Sequence, residues 1–433
     1  MKEILFALAI AAQGPVPDST AIVNVNVIPM DRERVLERYT VVVVGGVITK
    51  LGPTRSATVP AGTHTIDGTG KYLVPGFADV HVHLANNPPN EQPDLLKLFL
   101  AEGVTTVLNL RGVPQTLELR SKVQSGEILG PRLYTVGPFV NEPFVRTPAE
   151  VDSAVVAQKR AGYDFIKLHG NLSRESYLTL MRAAAREGIR VIGHAPRNLG
   201  LQIMFEQRQY ALAHAEEFLY DTLNRSTDSS LPYVEAKIPE YARSTARAGI
   251  WVMPNLTAFK MIGREVQDLN AVLARPEMRY LPRSTQQGWG PATNPYTNRN
   301  QPLRYQAMVT RYQLLEKLVR ALRANGVRLL VGTDAMNPTV VPGFSTHDEM
   351  ADLVTAGLTP YEALRAATAN AAEFLGVADR GTIAAGQEAD LVLLDANPLA
   401  DIANTRHIAG VMLRGRWFSG ADLGAMLEEL AAK

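Results

Sequence analysis

The chain has 433 residues, 46% of them hydrophobic, and its 44 Lys and Arg against 43 Asp and Glu leave a net charge of +1. That length suits one large α/β domain with a satellite rather than a small module, and so even a balance gives no whole-chain field for nucleic acid or an anionic membrane. The absence of cysteine excludes disulfides and thiolate chemistry, so any metal must sit on nitrogen and oxygen ligands, which suits zinc, manganese or a similar divalent ion.

In chain order, residues 1–19 read as a signal peptide or an N-terminal tail. The apolar run 4–12 is too short to span a bilayer but fits a secretory core, and Ala9-Ile10-Ala11 resembles a small-residue cleavage site. Glu3 cancels Lys2 in front of it, and a packed N-terminal segment is the competing reading. A cleaved leader would favour a secreted or periplasmic protein over a cytoplasmic one. No other run approaches membrane length, so stable membrane insertion is not expected.

From residue 20 to 74, short β-branched runs (21–28, 40–44, 47–51, 64–66) are cut by turn residues, with Gly45-Gly46 between two of them, which predicts a small antiparallel sheet. A similar pattern returns at 381–383, 389–394 and 408–417. Neither set can bury a sheet face alone. The expectation is a composite β-sandwich domain of residues 20–74 and 380–420, followed by a C-terminal helix over 421–433.

Between them, residues 75–379 change to short apolar strands followed by helical stretches, and Pro75-Gly76 marks the crossing. Eight candidate strands (78–83, 105–110, 132–137, 165–169, 190–194, 210–214, 250–254, 328–333) are the number that closes a (β/α)8 TIM barrel. Helices are expected at 150–161 and 174–187. Two connections, 222–240 and 260–301, exceed a plain turn; the second carries Gln286-Gln287-Gly288-Trp289-Gly290-Pro291 and Tyr296, and reads as a lid or a disordered excursion.

Active sites of such barrels lie where the strands end. The first strand holds His81 and His83, which face the same way, about 7 Å apart at Cα from the strand rise. Alone the pair is weak evidence for a metal site. Read in order, however, the strand ends carry His81, His83, Arg111, Lys167, His169, His194, His214 and Asp334, and five of the eight histidines fall there.

The motifs P-G-F-A-D-V-H-V-H (75–83), F-I-K-L-H (165–169), I-G-H-A (192–195), A-H-A-E-E (213–217) and V-G-T-D-A (331–335), with the C-terminal runs 358–372 and 381–395, resemble those of the amidohydrolase superfamily. Their spacing is most similar to the imidazolonepropionase-like branch, which includes Xaa-Pro dipeptidases and carboxypeptidase-like amidases such as ochratoxin-hydrolysing enzymes. The resemblance implies two divalent ions, zinc above all: His81, His83 and Asp334 on the more buried one, His194 and His214 on the second, and Lys167 bridging both as an N6-carboxylysine. An unmodified ammonium would repel cations, whereas a carbamate is a bidentate anion; an ion pair of Lys167 with Asp164 or Asp334 is the alternative. The lysine also argues against the mononuclear pattern of deaminases.

Two cations sharing a water lower its pKa and polarise a scissile carbonyl, and Asp334 is placed to move the proton from the attacking water to a leaving amine. The competing role for Asp334 is a turn cap. His169 shares a face with Lys167 and is expected either to orient the carbonyl or bind a substrate carboxylate, or to make a loop hydrogen bond. Arg111 and Arg197 are carboxylate-clamp candidates, and Tyr220 is an oxyanion donor or an aromatic anchor. His347 is expected at a helix start; His64 and His407 are read as structural. The expected partner is a small amide or peptide substrate of a C–N hydrolase, with no nucleic acid. Cyclic-amide hydrolysis and lactonase or phosphotriesterase activity are the rivals on the same site. A scaffold without chemistry would lack ligands, and all six positions are filled. Relatives of this kind are often homo-oligomers.

Overall fold

The computed structural model describes residues 19–225, 230–298 and 303–433. The leader expected at 1–19 lies outside them except for Ser19. The chain begins with β1 (Ser19–Val27), β2 (Leu36–Val44), β3 (Val47–Pro53), β4 (His64–Asp67) and β5 (Tyr72–Pro75). The tight turn at Gly45-Gly46, with φ of 57° and 81°, joins β2 to β3 and is open to glycine at little cost. β1–β2 and β2–β3 are antiparallel, but β4 and β5 run parallel to β1, so the sheet is mixed and not the antiparallel one expected. β4 takes residues 20–23 of the far edge of β1 and β5 takes 26–27. The chain hugs β1 between them at Gly68, where a Cβ would meet that of Val25 at 2.5 Å.

Seven parallel strands follow: β6 (Phe77–Val82), β7 (Val104–Asn109), β8 (Arg132–Thr135), β9 (Phe165–Leu168), β10 (Arg190–Gly193), β11 (Ala211–Ala213) and β12 (Trp251–Met253). They form a three-stranded sheet, β6-β7-β8, and a four-stranded one, β12-β11-β10-β9, with a parallel bridge from Val136 to Phe165 between them. The expected eighth strand, 328–333, is an extended segment rather than a regular strand. Its start bonds to β12 (Val252 N to Arg328 O, 3.1 Å; Leu330 N to Val252 O, 3.0 Å) and its end to β6 (Val80 N to Val331 O, 3.0 Å; Asp334 N to His81 O, 2.7 Å). Its bonds to each neighbour are few and cover only part of its length, so no continuous ladder builds on either side.

The C-terminal strands β13 (Leu391–Leu394), β14 (Ile408–Leu413) and β15 (Arg416–Ser419) return to the first sheet, because β13 pairs antiparallel with β5. Both chain ends thus share one eight-stranded sheet, ordered β15-β14-β13-β5-β1-β2-β3 with β4 on β1, rather than two separate sheets. Ile22, Val25, Val41, Leu73, Leu391, Leu393 and Met412 share its core. Burying each is worth about 1.5–3 kcal/mol. The terminal helix spans Gly420–Ala431.

Helices Pro148–Ala161 and Arg174–Glu187 agree with expectation. Thr147 and Glu150 form a reciprocal capping box, and Ser173 caps the second helix through the Ser176 N–H at 3.1 Å. The connection at 222–240 is taken up by helices Glu216–Arg225 and Leu231–Ala248. Within 260–298 the chain is folded, with helices Leu256–Leu273 and Arg283–Gly288 and a 3-10 turn at Pro276–Tyr280. Among the described residues no helix is long and apolar enough to cross a membrane.

Candidate metal and catalytic site

β6 and the 328–333 segment are adjacent, which brings the first histidine pair to Asp334. His81 Nε2 lies 3.1 Å from His83 Nε2, and these two atoms lie 3.1 and 3.0 Å from Asp334 Oδ1. All three residues are buried. Burial pushes the His81 imidazole down to about 3, so it is neutral; burial alone would raise Asp334, but the facing imidazoles hold its carboxyl well below the usual range. A neutral His81 ring beside an ionised carboxylate is the combination a cation requires.

Residues on the same strands hold this triangle. Asp79, two positions before His81 and fully buried, accepts from the Thr333 N–H (3.0 Å), the Thr333 hydroxyl (2.6 Å) and the His81 N–H (3.2 Å), and so ties β6 to the turn that carries Asp334. Gly332 allows the close approach, since a Cβ there would meet His81 Cβ at 2.8 Å. Asn255 accepts from the His214 N–H at 3.0 Å and donates to Gly332 O at 2.7 Å, which joins a third strand end. His214, Asn255 and Asp334 all have left-handed backbone, with φ of 70°, 53° and 63°. Such positions cost about 1–3 kcal/mol each and persist only where surrounding bonds impose them.

The second group stands beside the first. The ring centroids of His81 and His214 are 4.8 Å apart, as are those of His214 and His194. Burial holds the His194 and His214 imidazoles well below their ordinary range. The His194 backbone is fixed by Leu168 O (2.9 Å to its N–H) and by Gln209 Nε2, which donates to its carbonyl at 3.0 Å. Lys167 is fully buried and its Nζ has no hydrogen-bond partner. Its predicted alternative partner Asp164 instead pairs with Arg120 at 2.9 Å. Burial pulls the Lys167 ammonium down to about 8. Gly193 makes room for it, because a Cβ there would meet Lys167 Cδ at 2.6 Å.

The residues expected to meet substrate are differently placed. His169 is exposed, stacks on Phe139 (4.5 Å between centroids) and abuts His194 (4.6 Å). Arg111 is exposed and donates to Asn86 Oδ1 at 2.5 Å. Arg197 is bound to the buried Glu217 (2.6 and 2.9 Å) and lies over the Tyr220 ring at 5.4 Å. His347 lies in the first turn of helix Phe344–Thr355, where its rings bond Thr405 Oγ1 (2.9 Å) and Glu102 O (3.0 Å), while His64 and His407 are exposed on and beside the end sheet. The 260–298 insertion is anchored by buried Glu265, which accepts from Asn294 Nδ2 (2.7 Å) and from Thr339 on the loop after Asp334. The half-buried Tyr296 follows, its hydroxyl held well above the ordinary tyrosine range by burial and by the charges of Asp334 and Glu265. A groove of about 350 Å³ opens between Asn87, Thr285, Trp289 and Met336.

Sequence reasoning assigned no role to Asp79, Glu217, Asn255 or Glu265. Asp79 was signalled by strand period, since 79, 81 and 83 share one face. Glu217 stands three residues after His214 in a motif already singled out; Asn255 and Glu265 carried no comparable signal.

The donor set fits divalent ions. Neighbouring ligand atoms on one zinc ion, each at about 2.0–2.1 Å, lie about 3.0–3.4 Å apart. The triangle of His81, His83 and Asp334 has that spacing. His214 Nδ1 and Lys167 Nζ are buried without hydrogen-bond partners, a cost that a bound cation and an anionic form of Lys167 would offset.

The family model for the amidohydrolase family matches residues 72–418. An imidazolonepropionase from Deinococcus radiodurans is 25% identical over 422 residues, covering 90% of this chain and 93% of its own. An ochratoxinase from Aspergillus niger is 36% identical over 110 residues, 24% of this chain and 22% of its own. A solved bottromycin amidohydrolase superposes with a TM-score of 0.74 at 26% identity, over 96% of this chain and 90% of its own. With the site geometry above, the chain belongs to the amidohydrolase family, whose members generally bind divalent metals, and is a metal-dependent hydrolase acting on carbon–nitrogen bonds.

Proposed function

We propose that the chain is a binuclear amidohydrolase that cleaves the amide bond of a dipeptide or an N-acyl amino acid, as an Xaa-Pro dipeptidase or an ochratoxin-hydrolysing amidase does. The observation that carries this reading is the buried triangle of His81, His83 and Asp334 beside a lysine nitrogen without a partner. Two divalent ions, zinc by expectation, would supply a water ionised at neutral pH and a Lewis acid for the carbonyl. His81, His83 and Asp334 would hold one ion; His194 and His214 would hold the other. Lys167 would bridge them once its amine nitrogen bonds the carbon of carbon dioxide and loses a proton. Asp334 would take the proton of the attacking water and pass it to the leaving amine. His169, Arg111 and Tyr220 would orient the substrate.

In this reading the seven strands and the 328–333 segment close into a (β/α)8 barrel over 75–379, and the end sheet of 20–74 and 380–420 folds over itself as a sandwich. A homo-oligomer is part of the proposal. The test is a hydrolysis panel of Xaa-Pro dipeptides, N-acyl amino acids, lactones and organophosphate esters. Turnover of amides supports the assignment; turnover of esters or lactones alone overturns it. Cyclic-amide hydrolysis is the second reading, favoured by the full-length similarity to an imidazolonepropionase, and an imidazolone substrate added to the panel decides it.

A further inference from the structure

We infer that Glu217, held by Arg197, is a positioning residue that sets the tautomer of His194 and aims its Nε2 at the second ion. The inference rests on the reading that His194 is a ligand. Glu217 opens helix Glu216–Arg225, three residues after His214, with its N–H on His214 O at 3.2 Å. Its side chain is 1% exposed, so its carboxylate must find donors inside the protein. One oxygen, Oε1, takes all three contacts: His194 Nδ1 at 2.7 Å, Arg197 Nη2 at 2.6 Å and Arg197 Nε at 2.9 Å.

Nδ1 of His194 faces two neighbours with opposite demands. A carboxylate only accepts, whereas the guanidinium, whose Nη2 is 3.1 Å away, only donates. The shorter contact, to the charged acceptor, decides the matter: Nδ1 carries the proton and donates it to Glu217. The lone pair of the neutral ring is then on Nε2, the nitrogen left free to ligate. Arg197 supplies the counter-charge to the buried Glu217 carboxylate through two hydrogen bonds, and Tyr220 covers the guanidinium. Arg197 therefore acts through Glu217 and His194 rather than as the substrate clamp its position suggested. A carboxylate that orients a metal-bound imidazole also raises its basicity, and loss of such a partner costs about 10- to 100-fold in metal affinity.

The test is titration of chelator-stripped protein with zinc against a competing chromophoric chelator, with cobalt absorption spectra as a second readout. Wild type is expected to show two binding steps. In Glu217→Ala one step should weaken by about 10- to 100-fold while the other, set by His81, His83 and Asp334, holds. Glu217→Gln should fall between, because its amide oxygen still accepts from Nδ1–H. Two wild-type steps with both unchanged in folded Glu217→Ala, or with both weakened equally, overturn the inference and leave the binuclear reading standing. A single wild-type step overturns both. If Glu217→Ala does not fold, Glu217→Gln decides: a selective loss of one step supports the inference, and no loss refutes it.

Discussion

The two halves of the site are built by different means. His81, His83 and Asp334 meet atom to atom, with their strand ends bound to each other through backbone and through the fully buried Asp79. Lys167, His194 and His214 are not joined by such polar contacts: the His194 and His214 rings pack with centroids 4.8 Å apart, Lys167 Nζ has no hydrogen-bond partner, and Nδ1 of His194 is held by Glu217 from a helix start. The first half is assembled by the polypeptide. The second half is held by burial and by groups outside it, the Gln209 amide and the Glu217 carboxylate.

The difference is open to direct attack. Asp334→Asn keeps the shape of the triangle and removes its charge and its proton acceptor, so kcat should fall at least about 10³-fold with an unchanged circular dichroism spectrum. Activity within tenfold of wild type would remove Asp334 from the chemistry. Lys167→Ala should lose one ion and about 10²-fold or more in kcat, and added acetate or propionate should restore part of it by filling the vacated cavity with a carboxylate. Full activity and full metal content in that variant would refute the carbamate bridge.

Smaller effects probe the support beneath the triangle. Thr333→Val takes from buried Asp79 its 2.6 Å hydroxyl donor and should cost about 1–3 kcal/mol in denaturant unfolding, because the carboxyl is left less satisfied. No loss of stability would mean that Asp79 does not pin Asp334. Glu349, fully buried below the same region, accepts from the Leu256 and Thr257 N–H groups at 3.1 and 2.7 Å. Burial pushes its carboxyl up from 4.5 to about 8. The unfolded chain releases this proton at lower pH than the folded one. The stability it contributes is therefore complete below pH 4.5 and is lost as pH rises through 8. In chelator-stripped protein, Tm of wild type should fall between pH 5 and 8 by about 2–4 °C more than that of Glu349→Gln. Parallel Tm curves would contradict it.

The comparison also explains what could be read from the sequence. His81, His83, Lys167, His194, His214 and Asp334 were visible because strand period and strand ends are local signals, and the structure gathers all six at one end of the parallel strands. Helix starts with Pro, Thr or Ser caps were legible for the same reason. The mixed end sheet was not, since alternation reports a buried face and says nothing of strand direction. The 328–333 segment has a strand's composition, but whether it shares its bonds between two neighbours is decided by tertiary context. The pairing of Arg197 with Glu217 was not legible, because the two lie 20 positions apart and nothing local links them.

Metal content per chain tests the central claim most directly. Protein purified with zinc present and measured by elemental analysis should hold about two ions per chain, as a two-metal hydrolase site requires. Fewer than about half an ion per chain would contradict the account, for the triangle would then be a hydrogen-bonded cluster and not a metal site.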